Sequence, residues 1–332
     1  DSYAGSTAVK FKIGAKSATT QASGTYTGTV NFYAVTNPGP DNTMQGFAAG
    51  NASTTCTAMS TGDTLKLKDS RDNTEYTIGK LADGKCWLLD NLALDVADPA
   101  ILPGLNSNNT NASDDTLDYL KGVKTRNANT DPEGKYATSK VRKDWDGSYY
   151  SYSDPLINVE DIDIIPQGRD PIATEVQEGS WKVGAYYNYC AASAGSNCYG
   201  NGTTRTSITN PDDATEDICP AGWKMPSGGS DSDYVNLSLA VTGKTSFLNQ
   251  DESMALRRAL RLPLPGRIST SAGRIEGQGD NGYYWSSTAY TYSGKYVLME
   301  SYDSVTPYTS SSYSQYGYSV RCILGSSQNN EP

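Results

Sequence analysis

From Thr64 onward the chain alternates apolar and polar residues in short runs separated by dense turns. Thr64–Lys68, Glu75–Leu81 and Lys85–Asp90 read as a β-meander, with Asp69–Asn73 and Asp83–Gly84 as its turns and Trp87-Leu88-Leu89 as an apolar anchor. Tyr283–Thr288, Lys295–Ser301 and Tyr316–Ile323 alternate in the same way and predict three more strands. Helical periodicity is rare. It is clearest over Asp251–Leu262, where Ala255, Leu256, Ala259 and Leu260 share a face, Asn249 or Asp251 can cap, and Pro263 stops the helix. Shorter helices are expected at Ser232–Val241 and Asp114–Val123.

Residues 1–40 form a separate arm. Ala8–Lys16 and Tyr26–Val35 both alternate, which predicts a β-hairpin carrying Val9, Phe11, Ile13, Val30, Phe32 and Ala34 on its apolar positions. One hairpin has no second layer on which to bury that row, so it needs a host. Asn37-Pro38-Gly39-Pro40 breaks the pattern, and 41–63 reads as a linker leading into a large domain over 64–325. Within that domain 104–180 is rich in Asn, Asp, Ser and Tyr and reads as a surface excursion, with Trp145 and Trp181 as contact residues; 326–332 is a polar tail.

Composition narrows the chemistry. The chain has 332 residues, 27 Lys plus Arg against 37 Asp plus Glu, and no histidine. Without imidazole there is no Ser-His-Asp triad, no Cys-His dyad and no His-bearing zinc site. A formal charge of −10 makes a poor partner for nucleic acid, whose affinity comes from clustered Lys and Arg. No apolar run approaches the length of a membrane span. The start at Asp1, with neither initiator Met nor apolar leader, reads as a processed, exported product. Tyr supplies 24 of the aromatic side chains and Phe 4, a balance suited to half-buried sheets and wet contact surfaces.

The six cysteines are Cys56, Cys86, Cys190, Cys198, Cys219 and Cys322, with no C-x-x-C pair of the zinc-ribbon kind. Proximity pairs Cys190 with Cys198 across a Gly/Ser-rich turn and Cys56 with Cys86 across a hairpin, which leaves Cys219 and Cys322. The alternative is six buried thiols in a reducing compartment; an exported chain favours disulfides.

Six segments in order carry a family resemblance: Asp69–Tyr76 (DSRDNTEY), Gly84–Leu92 (GKCWLLDNL), Gly184–Tyr189 (GAYYNY), Ile218–Ser227 (ICPAGWKMPS), Tyr284–Thr288 (YWSST) and Gly317–Cys322 (GYSVRC). Together they resemble the Fibrobacter succinogenes major paralogous domain over about 64–323. The resemblance implies an exported bacterial surface protein with an α+β, C-type-lectin-like domain, strand- and loop-rich with few helices. It also implies a disulfide between the start of the last third and the C-terminal strand, hence Cys219 with Cys322, and it brings no catalytic residues. The N-terminal hairpin resembles the closing strands of an immunoglobulin-like surface domain. The formylglycine-generating enzymes resemble this fold distantly, but their cysteine pair has no counterpart here.

Other candidate sites are weighed against plainer readings. Glu160, Asp161 and Asp163, or Asp212 and Asp213, offer hard oxygen donors for calcium, yet no EF-hand spacing accompanies them and solvated acidic turns are the simpler account. A carboxylate pair for glycoside hydrolysis needs only two acids, and the sequence nominates none. Trp87, Trp223 and Trp285 lie inside the six segments and read as core anchors. The expectation is therefore a non-enzymatic protein of the cell surface, with no cofactor, metal or membrane span. It would be structural or adhesive and would polymerise with copies of itself by adding its N-terminal strand to a neighbour. The alternative is a carbohydrate- or protein-binding module with a host-cell or glycan ligand.

Overall fold

The computed structural model of the chain describes residues 41–96, 100–118, 183–196, 213–268, 275–290, 294–311, 314 and 316–325, with the backbone of 137–138, 140–142 and 156–158. The chain divides at Gly39 and Pro40 into two units, and the described residues belong to the second. The hairpin positions Val9, Phe11, Ile13, Val30, Phe32 and Ala34, the contact residues Trp145 and Trp181, Cys198, and the tail 326–332 lie outside them. The described architecture is mixed and strand-rich, with five α-helices and antiparallel sheets.

The meander forms as β1 (Thr64–Lys68), β2 (Glu75–Lys80) and β3 (Cys86–Leu88), paired antiparallel. Asn73 takes the left-handed conformation (φ 62°) that closes the first turn, and Gly84 (φ 79°) does so in the second. Short strands β4 (Ala137–Thr138), β5 (Lys140–Arg142), β6 (Leu156–Asn158) and β7 (Tyr186–Tyr187) follow. Next come β8 (Trp223–Lys224), β9 (Arg267–Ile268) and β10 (Ile275–Glu276). A second meander consists of β11 (Asn281–Ala289), β12 (Lys295–Ser301) and β13 (Val305–Ser311), and β14 (Ile323–Leu324) closes the series. β14 inserts between β3 and β8, so the larger sheet has the order β1-β2-β3-β14-β8.

The structure adds one strand that the sequence reading does not predict and changes one that it does. β13 carries Pro307, which argues against a strand by pattern; in the structure Pro307 and Tyr308 sit at a bulge opposite Leu298, between the pairs Val297–Thr309 and Met299–Thr306. β13 has a single partner strand, so an edge position and a bulge together tolerate the missing N–H. Conversely, Tyr316–Ile323 is not one continuous strand. Gly317, Tyr318 and Ser319 bridge to Ile268, Tyr187 and Tyr284 respectively before the chain reaches β14. Their alternation reflects a segment threaded among several elements.

The helices are α1 (Met44–Ala48), α2 (Asp114–Asp118), α3 (Tyr189–Ala192), α4 (Asp233–Thr242) and α5 (Gln250–Leu260). Asn249 caps α5 in a reciprocal box with Glu252, and Arg261 (φ 49°) ends it before Pro263. The buried face of α5 is Ser253, Met254, Leu256, Arg257 and Leu260, whereas Ala255 and Ala259 are only half-buried. Segment 41–63 is more than a connection, because Met44 and Phe47 of α1 and Met59 are core residues. The start of the Asn-rich excursion is likewise packed: Thr110, Ala112 and Leu117 are buried, and Thr110 bridges to Pro220.

β3 and the inner stretches of β11 and β12 are buried on two faces, which separates two hydrophobic cores. Cys86 and Leu88 of β3, Trp285 of β11 and Val297 of β12 point into the main core. Their neighbours Trp87, Tyr284 and Leu298 point into a second, lined by Leu237, Leu256 and Leu260 of α4 and α5. The continuous apolar run around Trp87 is what a strand covered on both sides requires.

Disulfides join Cys56 to Cys86 and Cys219 to Cys322. Cys190 is also disulfide-bonded, and its expected partner Cys198 lies outside the described residues. With a sequence separation of 103, the Cys219–Cys322 link constrains the unfolded chain by about 4–5 kcal/mol on a loop-entropy basis.

Candidate functional site

The six sequence segments converge in the interior, joined by hydrogen bonds from side chains to side chains and to backbone carbonyls. Asp69 and Arg71 form a fully buried pair, Nη2 to Oδ2 2.6 Å. Burial opposes the charge on Asp69, but the adjacent Arg71 and its hydrogen bonds outweigh burial and hold the carboxyl below its ordinary range. Arg71 Nη1 donates to the Ile218 carbonyl at 2.7 Å, tying the first segment to the fourth. Gln45 of α1 donates to Asp69 Oδ1 at 3.0 Å.

Asn91, in the second segment, donates to the Val183 carbonyl and to Ser319 Oγ, and accepts from Arg321 Nε at 2.7 Å. Arg321 also donates to the carbonyls of Leu88, Leu260 and Arg261, each at 2.9 Å. A guanidinium with rigid, forked donors suits four acceptors converging from two chain segments, Leu88–Asn91 and Leu260–Arg261. Gly184 (φ 71°) begins the third segment where a Cβ would meet Asn91 Cβ at 2.6 Å and the Leu92 carbonyl oxygen at 2.7 Å, so a side chain is excluded there. The indoles of Trp87, Trp223 and Trp285 are fully buried, donating to Asp83, the Met44 carbonyl and the Tyr187 carbonyl. The tryptophans anchor the interior, as their positions within the segments predict.

A second buried pair lies beside Arg321. Arg257 Nε is 3.3 Å from Glu300 Oε2, both side chains fully buried, and the Tyr284 hydroxyl donates to Glu300 Oε1 at 2.8 Å. The burial of Arg257 is the departure from apolar periodicity in α5: Glu300 of β12 supplies the compensating charge.

A groove of about 770 Å³ opens beside the main core, with Gln45, Ala48, Asn111, Asp213, Asp217 and Lys224 among its walls. Asp217 Oδ1 accepts from the Cys219 amide at 2.9 Å, and Oδ2 accepts from the Met225 amide at 2.8 Å and from Asn111 Nδ2 at 3.0 Å. Burial pushes its pKa up to about 6 despite these donors. Its oxygens are engaged in holding the Ile218–Ser227 segment to its surroundings, which is a positioning role. Asp213 accepts from the Ala289 amide at 2.9 Å. Nearby, Lys295 is buried with Nζ 4.4 Å from the Tyr189 ring centroid, and burial lowers its pKa to about 8.

Among the described residues no group of three or more Cys, Asp or Glu is placed to hold a metal ion. Glu160, Asp161, Asp163 and Asp212 lie outside those residues. No described helix is long and apolar enough to cross a membrane. Sequence reasoning does not find Arg71, Arg257, Asp217, Lys295 or Arg321 as buried ionisable groups; Arg71 and Arg321 are marked by their places in the first and last segments, with no role attached.

Comparison with known proteins adds no relative: no family model, no curated protein and no solved structure matches the chain.

Proposed function

We propose that the chain is a structural or adhesive subunit of the bacterial cell surface. It is non-enzymatic, and it polymerises when the N-terminal strand of one copy is added to a neighbour. The domain from Thr64 onward is read as a member of the Fibrobacter succinogenes major paralogous type with a C-type-lectin-like fold. The observation that carries the reading is the disulfide-braced interior, in which hydrogen bonds tie the first segment to the fourth, the second to the sixth and the third to the fifth, so that these polar groups serve the scaffold. Disulfides accord with an oxidising, extracellular setting. The arm's alternation places Val9, Phe11 and Ile13 on one side of a strand, the arrangement that main-chain pairing with another subunit uses. The arm also carries three lysines against one aspartate, while the chain as a whole is at −10. A basic arm and an acidic body attract between copies.

The test is electron microscopy and light scattering of the full-length protein beside a Val9→Asp, Phe11→Asp, Ile13→Asp variant. Polymers are expected for the first and a folded monomer for the second. A wild-type protein that stays monomeric at high concentration removes the reading.

A further inference from the structure

Phe247 is 97% exposed and sits in the left-handed region (φ 53°), in the loop after α4. A bulky aromatic residue with positive φ is uncommon, and one so exposed gains nothing from the core to offset the strain. Leu239, 48% exposed in the second half of α4, is another exposed apolar side chain. Elsewhere on the molecule is a pocket of about 450 Å³ lined by Phe47, the Cys56–Cys86 disulfide, Ile323 and Leu324. Lys85 and Lys224 also line it, and no acidic residue does, although the chain as a whole carries −10.

We propose that Phe247 of one copy seats in this pocket of the next. Three observations commit the pocket to that occupant. The walls are mostly apolar and charged only at Lys85, which is paired with Asp233, and at Lys224, whose ammonium an aromatic face attracts. Asp251, exposed at the start of α5 four residues from Phe247, complements Lys224, exposed at the pocket. The knob also does not occupy its own pocket, since Phe247 is exposed and absent from the lining. Lys85 bonds Asp233 at the first turn of α4, whereas Phe247 follows the far end of that helix. Ten helical residues put about 15 Å between the two ends. Knob and pocket at separate places on one surface make a head-to-tail contact, which propagates unless the rotation closes a ring.

A buried phenylalanine covers about 150–250 Å², well short of the roughly 1,200–2,000 Å² of a stable interface. The contact is therefore one anchor within a larger one. It rests on the assembly reading above, in which strand addition supplies the remaining area.

The test uses full-length protein and the concentration at half-assembly, read by light scattering and sedimentation. Phe247→Ser and Thr57→Trp, which fills the pocket mouth from an exposed position, are each expected to raise that concentration roughly 10- to 100-fold. Because both act at one contact, the double variant is expected to be no worse than the stronger single. Far-ultraviolet circular dichroism and intact disulfides check folding. Unchanged assembly of Phe247→Ser, or effects that multiply in the double variant, overturns the contact. If that happens while the Val9, Phe11, Ile13 variant still abolishes assembly, the strand-addition reading stands without it. A monomeric wild type removes both.

Discussion

Each of the two cores buries an arginine–carboxylate pair, but the pairs are built differently. Asp69 and Arg71 are two residues apart in one turn, and their neighbourhood is otherwise acidic, with Asp72 and Asp217 close enough to feel Arg71. Arg257 and Glu300 come from a helix and a strand distant in sequence, and a second cation, Arg321, lies 5.7 Å from the ring centroid of Tyr284, which bonds Glu300. The first core holds its charge locally and carries a carboxylate excess. The second assembles its charge from remote segments, with Asp90 and Glu300 both acting on Arg321. Local pairs fix a turn, whereas remote pairs fix the relation of elements to one another.

The sharpest test of that difference is Arg321→Met. It strips Asn91 Oδ1 and three buried carbonyls of their donor, and a loss of about 4–5 kcal/mol in urea unfolding is expected. A loss below 1 kcal/mol would mean water replaces the guanidinium. Arg71→Met should cost about 3–4 kcal/mol at pH 7 by leaving Asp69 buried and unpaired. Its cost should shrink on acidification, since an orphaned Asp69 escapes by taking a proton, whereas the Arg321 deficit should not change with pH.

Asp217 tests the carboxylate excess. Its folded pKa of about 6 lies above the ordinary 3.8, so the native state binds a proton more tightly than the unfolded chain does. Stability contributed by this proton is present below pH 4 and is lost as pH rises to 6, a decline of about 2–3 kcal/mol. Asp217→Asn is expected to flatten that slope in urea midpoints at pH 4, 5, 6 and 7; an unchanged slope would place the titration elsewhere. Lys295 is the smaller, opposite case. Its pKa of about 8 lies below the ordinary 10.5, so its charge penalises the native state below pH 8, and stability rises between pH 8 and 10.5. The difference between wild type and Lys295→Met should therefore close by about 1–2 kcal/mol across that window.

Strands with one dominant alternation, such as β1 and β12, and the capped helix α5 were legible from the sequence because each is specified by its own residues. β13 was not, since only the bulge against Leu298 makes Pro307 acceptable. Asp69–Asn73 reads correctly as a turn, yet nothing in DSRDN says that the turn is buried; that depends on α1 and Ile218 closing over it. The same holds for Asp217, whose donors Cys219, Met225 and Asn111 gather only when the Ile218–Ser227 segment folds back. Pairing Cys219 with Cys322 was open to sequence reasoning; the Arg257–Glu300 pair was not, because helical periodicity places an arginine in solvent by default. Phe247 carries no pattern at all, as its distinction is what fails to cover it.

The position of β14 imposes an order in time. It is the interior strand that joins β3 to β8, yet it is the last strand of the series. Until Ile323 arrives, β3 and β8 each keep an edge without a partner, Arg321 has not reached Leu88 and Leu260, and Cys219 has no Cys322 to meet. The β1–β3 meander can form early, but the larger sheet cannot close from a nascent chain that stops short of its final stretch. Such long-range pairing slows folding, because loop closure comes before the contacts that reward it. During that interval the open edges are the exposed liability, and a late-completing sheet shields itself only when its last strand drops into the middle.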